Sequence, residues 1–76
     1  MLHARSDYAE IQDPRGIIPE DEPVMLFRAQ DKHFLAVLDF YAKLVEGDDP
    51  ASEIPVLVRR HMTLAANWPI RKTPDV

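Results

Sequence analysis

Between Lys32 and Glu46 the chain places apolar residues around more of a helix than a single neighbour can cover. Phe34, Val37, Leu38, Tyr41 and Val45 recur at three- and four-residue spacing, which predicts an amphipathic helix with these side chains as its central stripe. Leu35 and Ala42 widen the stripe on one flank, Phe40 and Leu44 on the other. At about 100° per residue the apolar arc passes half the circumference, and Ala36, Asp39, Lys43 and Glu46 mark the solvent side. That arc is wider than a surface helix of a small monomer needs.

The ends of this helix follow from local chemistry. Asp31 is a good N-cap, since its carboxylate can accept from the free amides of the first turn. Gly47 stands where a left-handed residue would close the helix, and Asp48-Asp49-Pro50 does not easily extend it. A second helix is predicted from Glu53 to Asn67, capped by Ser52, with Pro55 in the first turn where its missing amide costs little. Ile54, Leu57, Val58, Ala65 and Trp68 share one of its faces, with Met62 and Leu64 on the flanks. Arg59, Arg60, Thr63 and Asn67 face away, and Trp68-Pro69 ends the run. The short connection around Gly47 to Ala51 makes the pair an antiparallel hairpin. The expected fold class is therefore mainly α: a helical hairpin with an extended N-terminal arm and a short apolar extended segment.

Residues 1–23 form the arm, extended and partly ordered. Ser6 can cap one helical turn through Asp7 to Ile11, and Asp13-Pro14-Arg15-Gly16 has the chemistry of a type I turn. Tyr8, Ile11, Ile17 and Ile18 are its candidate anchors. Val24 to Phe27 is a four-residue apolar run behind Pro23; an extended segment is favoured, and a helical one stays open at this length. Residues 24–70 make the helical domain and residues 71–76 a loose tail.

With 76 residues there is one domain at most. A chain of this size buries only about 60% of its unfolded surface, so its core is small. There are no cysteines to staple it or bind a metal through thiolates. Small domains of this kind gain the missing burial by self-association or by docking on a partner. No signal peptide or membrane span is legible, so a soluble cytoplasmic protein is expected. The net charge of −4 is uneven: residues 59–76 carry Arg59, Arg60, Arg71 and Lys72 against Asp75, while the rest is acidic. An acidic body disfavours a phosphate backbone and suits a basic protein surface.

Catalytic constellations are missing from the pattern. Ser6 and Ser52 read as caps, and Gly16 and Gly47 as turn residues rather than a phosphate loop. His3, His33 and His61 have no ligand spacing; His61 falls on the apolar side of the second helix, where it reads as a half-buried boundary residue. Glu20, Asp21 and Glu22 are adjacent in one solvated turn, whereas acid–base work needs carboxylates in contrasting environments. As a binding feature, however, a proline-bounded acidic turn can mimic phosphates toward an arginine-rich groove, and Asp48 and Asp49 extend the same sign. Trp68 reads as a core plug, or as an interface anchor if exposed.

The string Asp21-Glu22-Pro23-Val24-Met25-Leu26-Phe27-Arg28-Ala29-Gln30-Asp31-Lys32, with Trp68-Pro69-Ile70-Arg71-Lys72 further on, resembles small uncharacterised proteins of bacterial and prophage genomes. The resemblance covers about half of the chain and carries no catalytic motif. It implies a class: small acidic proteins of mobile elements that occlude host machinery, CRISPR effector complexes among them.

The sequence thus leads to a non-catalytic protein-binding module, without cofactor or metal, using Glu20, Asp21, Glu22, Phe40, Leu44, Asp48 and Asp49. Two alternatives stand beside it. One is a structural or regulatory homodimer built on the first helix; the other is a weak nucleic-acid-binding accessory protein using Arg59, Arg60, Arg71 and Lys72.

Overall fold

A computed structural model describes residues 1–5, 7 and 12–74. Two helices, α1 (Phe34–Asp48) and α2 (Ile54–Ala66), pack against each other as a hairpin. Two short strands, β1 (Leu2–His3) and β2 (Pro23–Val24), pair in parallel with Leu2 opposite Pro23 and His3 opposite Val24. The fold is mainly α, as the periodicity predicts. No helix among the described residues is long and apolar enough to cross a membrane.

The ends of α1 differ from expectation. It begins at Phe34 rather than Lys32, because Asp31 and Lys32 are drawn into an extended bridge with Lys72. The Lys32 amide donates to the Lys72 carbonyl at 2.9 Å, and the Lys72 amide to the Gln30 carbonyl at 2.7 Å. Asp31 does not cap α1: the N-cap is His33, without a side-chain cap hydrogen bond, and the Asp31 carboxylate accepts from the His33 amide at 2.8 Å, ahead of the helix. Gly47 does not close the helix in a left-handed conformation. It stays helical, and the extended residue after α1 is Asp49 (φ −145°), whose amide donates to the Val45 carbonyl at 2.8 Å. A positive φ is instead found at Gly16 (61°), which closes the expected turn by donating to the Asp13 carbonyl at 3.0 Å. The Asp13 carboxylate fixes the exit of that turn, accepting from the amides of Ile17 and Ile18.

In α2 the start falls one residue after the predicted Glu53. Ser52 Oγ accepts from the Ile54 amide at 3.2 Å, so the hydroxyl tends the first turn from just outside it. Pro55 lies in that turn, as predicted, and is buried. Of the Val24–Phe27 run only Val24 lies in a strand, residues 25–27 are neither helix nor strand, and the partner strand Leu2–His3 comes from the arm. Ser6, Tyr8 and Ile11 lie outside the described residues; of the other proposed anchors, Ile18 is half-buried and Ile17 is exposed.

The helices meet on a narrower seam than the sequence implies. From α1 it takes Phe34, Leu35, Leu38, Ala42 and Val45, and from α2 Pro55, Val58, Met62 and Ala65. Phe34, Ala42, Pro55 and Ala65 are the buried residues among those described. Val37 and Tyr41, expected at the centre of the α1 stripe, are exposed, and so are Ile54, Leu57 and Trp68 of the expected α2 face. The seam thus encloses the small side chains of Ala42 and Ala65, while the larger apolar residues of the other stripes lie outside it.

Past α2, Arg71 closes the hairpin's open end. Its guanidinium donates to the Ala65, Trp68 and Ile70 carbonyls at and beyond the end of α2, and to the Ala29 carbonyl 42 residues away at 2.9 Å. Arg71 and Lys72 are thus fixed parts of the fold and not a loose tail.

Two outcomes are expected in urea denaturation. Phe34→Ala should cost about 3 kcal/mol or more, a large share of the stability of so small a domain. Arg71→Ala should cost about 1.5–3 kcal/mol. Arg71→Lys should recover little of it, because an ammonium cannot span carbonyls on two segments as the planar guanidinium does.

Candidate functional site

Each helix carries a second apolar stripe that the seam does not use. On α1 it is Val37, Phe40, Tyr41 and Leu44; on α2 it is Ile54, Leu57, His61 and Leu64, with Trp68 beyond the helix end. The exposures are high for such residues: Phe40 65%, Leu44 52%, Leu57 57% and Leu64 69%. At about 100° per residue, the open stripe of each helix lies roughly a quarter to a third of a turn from its packed stripe.

Two contacts between the helices show that both open stripes emerge on the same side of the hairpin. His61, from the open stripe of α2, meets the ring of Phe34, with centroids 6.2 Å apart and planes at 58°. Leu57 and His61 also border an open hollow with Leu38 of α1 and Val58. Across the other edge of the seam, Arg59 forms an ion pair with Glu46. By spacing, Glu46 lies on the α1 flank away from Val37 and Leu44, and Arg59 on the α2 flank away from Leu57 and His61. One edge is therefore apolar and open, and the opposite edge is polar and bridged. Lys43 and Asp39 pair at 2.8 Å on the polar back of α1, completing the segregation.

The polar candidates sort differently. Glu20, Asp21 and Glu22 are exposed in a turn where the Glu22 amide donates to the Pro19 carbonyl at 3.2 Å. The Glu22 carbonyl accepts from Leu2 at 2.7 Å, so the acidic turn is held by the β1–β2 pair. Asp48 ends α1 four residues after Leu44, on the rim of the apolar face. Asp49 turns inward to its own loop, accepting from the Ala51 amide at 3.1 Å. Phe40 and Leu44 lie within the face and the acidic turn lies outside it. The four basic candidates make no single footprint: Arg59 is on Glu46, Arg71 is on carbonyls, Lys72 is in the bridge and Arg60 is exposed.

His61 is more exposed than the half-buried place expected of it, and Trp68 is 49% exposed rather than a core plug. The sequence pattern held the missing signal: 54, 57, 61, 64 and 68 alternate in steps of three and four, parallel to a separate run 55, 58, 62 and 65. Reading all of these as one face hid the second stripe.

A cleft of about 330 Å³ lies where Met25 to Phe27 meet Arg5, Lys72 and Pro74. Asp31, the carboxylate among its described lining residues, is taken up by the His33 amide. Nearby, the Arg5 guanidinium hydrogen-bonds Asp7 and holds its carboxyl below the usual carboxylate range. Among the described residues no group of three or more His, Cys, Asp or Glu is placed to hold a metal ion. No protein-family model, curated protein or solved structure matches the chain.

Because Phe40 and Leu44 project from the hairpin, replacing either by serine should move the stability of the dilute protomer by no more than about 0.5 kcal/mol. The same variants should bind less of a fluorescent hydrophobic dye than the parent chain. A large loss of stability would place these side chains in the core instead.

Proposed function

We propose that this chain is a non-catalytic protein-binding module whose adhesive surface is the apolar face of the α1–α2 hairpin. The observation that carries the reading is the co-facial exposure of Phe40, Leu44, Leu57 and Leu64. Contiguous apolar surface of this kind is unfavourable in water and is retained where a partner covers it. The aromatic members, Phe40, Tyr41 and Trp68, are the residue types that dominate interface energetics.

Outside that face the acidic residues set the sign of what the chain as a whole attracts. Glu20, Asp21, Glu22 and the rim residue Asp48, on a chain of net charge −4, favour a basic protein surface and repel a phosphate backbone. In its concrete form the module is a phage or prophage inhibitor that occludes host machinery, a CRISPR effector complex being one target. The resemblance of the Asp21–Lys32 and Trp68–Lys72 strings to proteins of bacterial and prophage genomes supports that setting.

A photoreactive phenylalanine analogue at position 40, tested in cells, should give discrete protein adducts. The same analogue at Lys43, on the polar back, should give none. Equal labelling from both positions, or none from either, would remove the reading.

A further inference from the structure

We propose that the cleft bordered by Met25 to Phe27, Arg5 and Lys72 is a binding site for a small amphipathic carboxylate, an apolar body carrying one anionic group. It shares no lining residue with the apolar face of the hairpin, and the role of that face does not bear on it.

The cleft is formed where three distant stretches of chain meet, each held by backbone hydrogen bonds. The Ala4 amide donates to the Val24 carbonyl at 3.1 Å, which sets Arg5 beside the Met25–Phe27 run. The Asp31 amide donates to the Arg28 carbonyl at 2.9 Å and closes the turn that follows Phe27. Lys72 is placed by its bonds to Gln30 and Lys32. The cationic positions are therefore fixed by the fold, and not by loose side chains alone.

Size and lining select the body of the ligand. Met25, Leu26, Phe27 and Pro74 give the cleft an apolar lining. Met25 is 58% and Phe27 38% exposed, so apolar surface remains here for a ligand to cover. At about 30 Å³ per non-hydrogen atom, the share of a water molecule in the liquid, a volume of about 330 Å³ holds roughly ten such atoms. That is a straight-chain acid of about eight carbons, and too little for several residues of a peptide strand. Inorganic phosphate has no apolar body and would leave the lining bare.

Charge selects the head group. Among the described lining residues Arg5, Arg28 and Lys72 stand against one carboxylate, Asp31, which accepts from the His33 amide. The chain as a whole has the opposite balance, 13 acids to 9 lysines and arginines. Asp7 shows how a carboxylate fares beside these cations. Arg5 grips both of its oxygens, at 3.0 and 2.6 Å, in the forked geometry that guanidinium and carboxylate share. That hydrogen bonding, with the charges of Arg5 and Arg28 behind it, keeps the Asp7 carboxyl below its usual range. Asp7 is exposed, and an exposed pair holds weakly, so the carboxylate of a ligand can compete with it. Arg5, Arg28 and Lys72 all interact within the chain, and a guanidinium has donors for more than one carboxylate.

Titration of the full chain with sodium octanoate, followed by two-dimensional amide NMR, tests the site. Shifts centred on residues 25–28 and 72 are expected, saturating at about 1 mM or below, an ordinary affinity for so few atoms. Octylamine, with the same chain and the opposite charge, should bind at least about tenfold more weakly. Arg28→Gln and Lys72→Gln should each raise the dissociation constant about threefold or more, with the circular dichroism spectrum unchanged. Should Lys72→Gln disturb the fold, Arg28→Gln decides. Asp7→Asn, which removes the competing carboxylate, should tighten binding about twofold or more. Arg60→Gln removes an equal charge from α2, outside the lining, and should leave the constant within about twofold. No saturable shift at residues 25–28 up to about 10 mM octanoate would overturn the site. So would equal binding of octylamine or of inorganic phosphate, or equal effects of Arg28→Gln and Arg60→Gln.

Discussion

In a two-helix hairpin each helix has one neighbour, and one neighbour covers one stripe. That limit governs the rest of the molecule. Both helices carry two apolar stripes, so packing one pair necessarily leaves the other pair in water. The packed pair holds the small residues Ala42 and Ala65 together with Phe34, Leu38, Val58 and Met62. The bulkier remainder, Phe40, Tyr41, Leu57 and Leu64, is turned outward. A third helix would ordinarily cover such a surface, but the described residues of the arm supply two-residue strands instead.

With so small a core, the hairpin depends on how its open end is closed. Arg71 and the bridge between Asp31 and Lys72 bring the segment before α1 onto the segment after α2. The guanidinium adds a hydrogen bond to the Ala65 carbonyl at the end of α2 and joins that end to Ala29. Hydrogen bonding by a charged group is stronger than between neutral ones, which suits a fold with few buried side chains. The ion pair of Arg59 with Glu46 holds the polar edge of the seam in a similar but weaker way, since both groups are half-exposed to solvent. Function and architecture therefore divide the molecule: polar contacts tie its back and its open end, and the apolar front is left for association.

Much of this was legible in the sequence. The two helices, the proline in the first turn of α2, the Asp13–Gly16 turn and the excess apolar arc of α1 follow from local chemistry and spacing, because each depends on residues within a turn or two of one another. The exposure of Phe40 and Leu44 belongs with these. The helix ends were less legible: Asp31 reads as the cap of α1, yet long-range pairing with Lys72 takes it into an extended bridge. Gly47 reads as a stop, yet nothing obliges it to leave the helix when Asp49 can do so. The pairing of Leu2–His3 with Pro23–Val24 joins residues about 20 apart that carry no pattern longer than two residues.

What the sequence determined by itself was the number of helices and the surplus of apolar surface, since periodicity is written residue by residue and needs no neighbour. Tertiary structure decided which stripe became core and which became face. That choice depends on how two helix faces fit together, and hence on residues of both helices, Ala42 and Ala65 among them, that no single segment brings together. It also decided the role of Arg71, a tail residue in the sequence, because the carbonyls it holds come together only once the chain has folded back on itself.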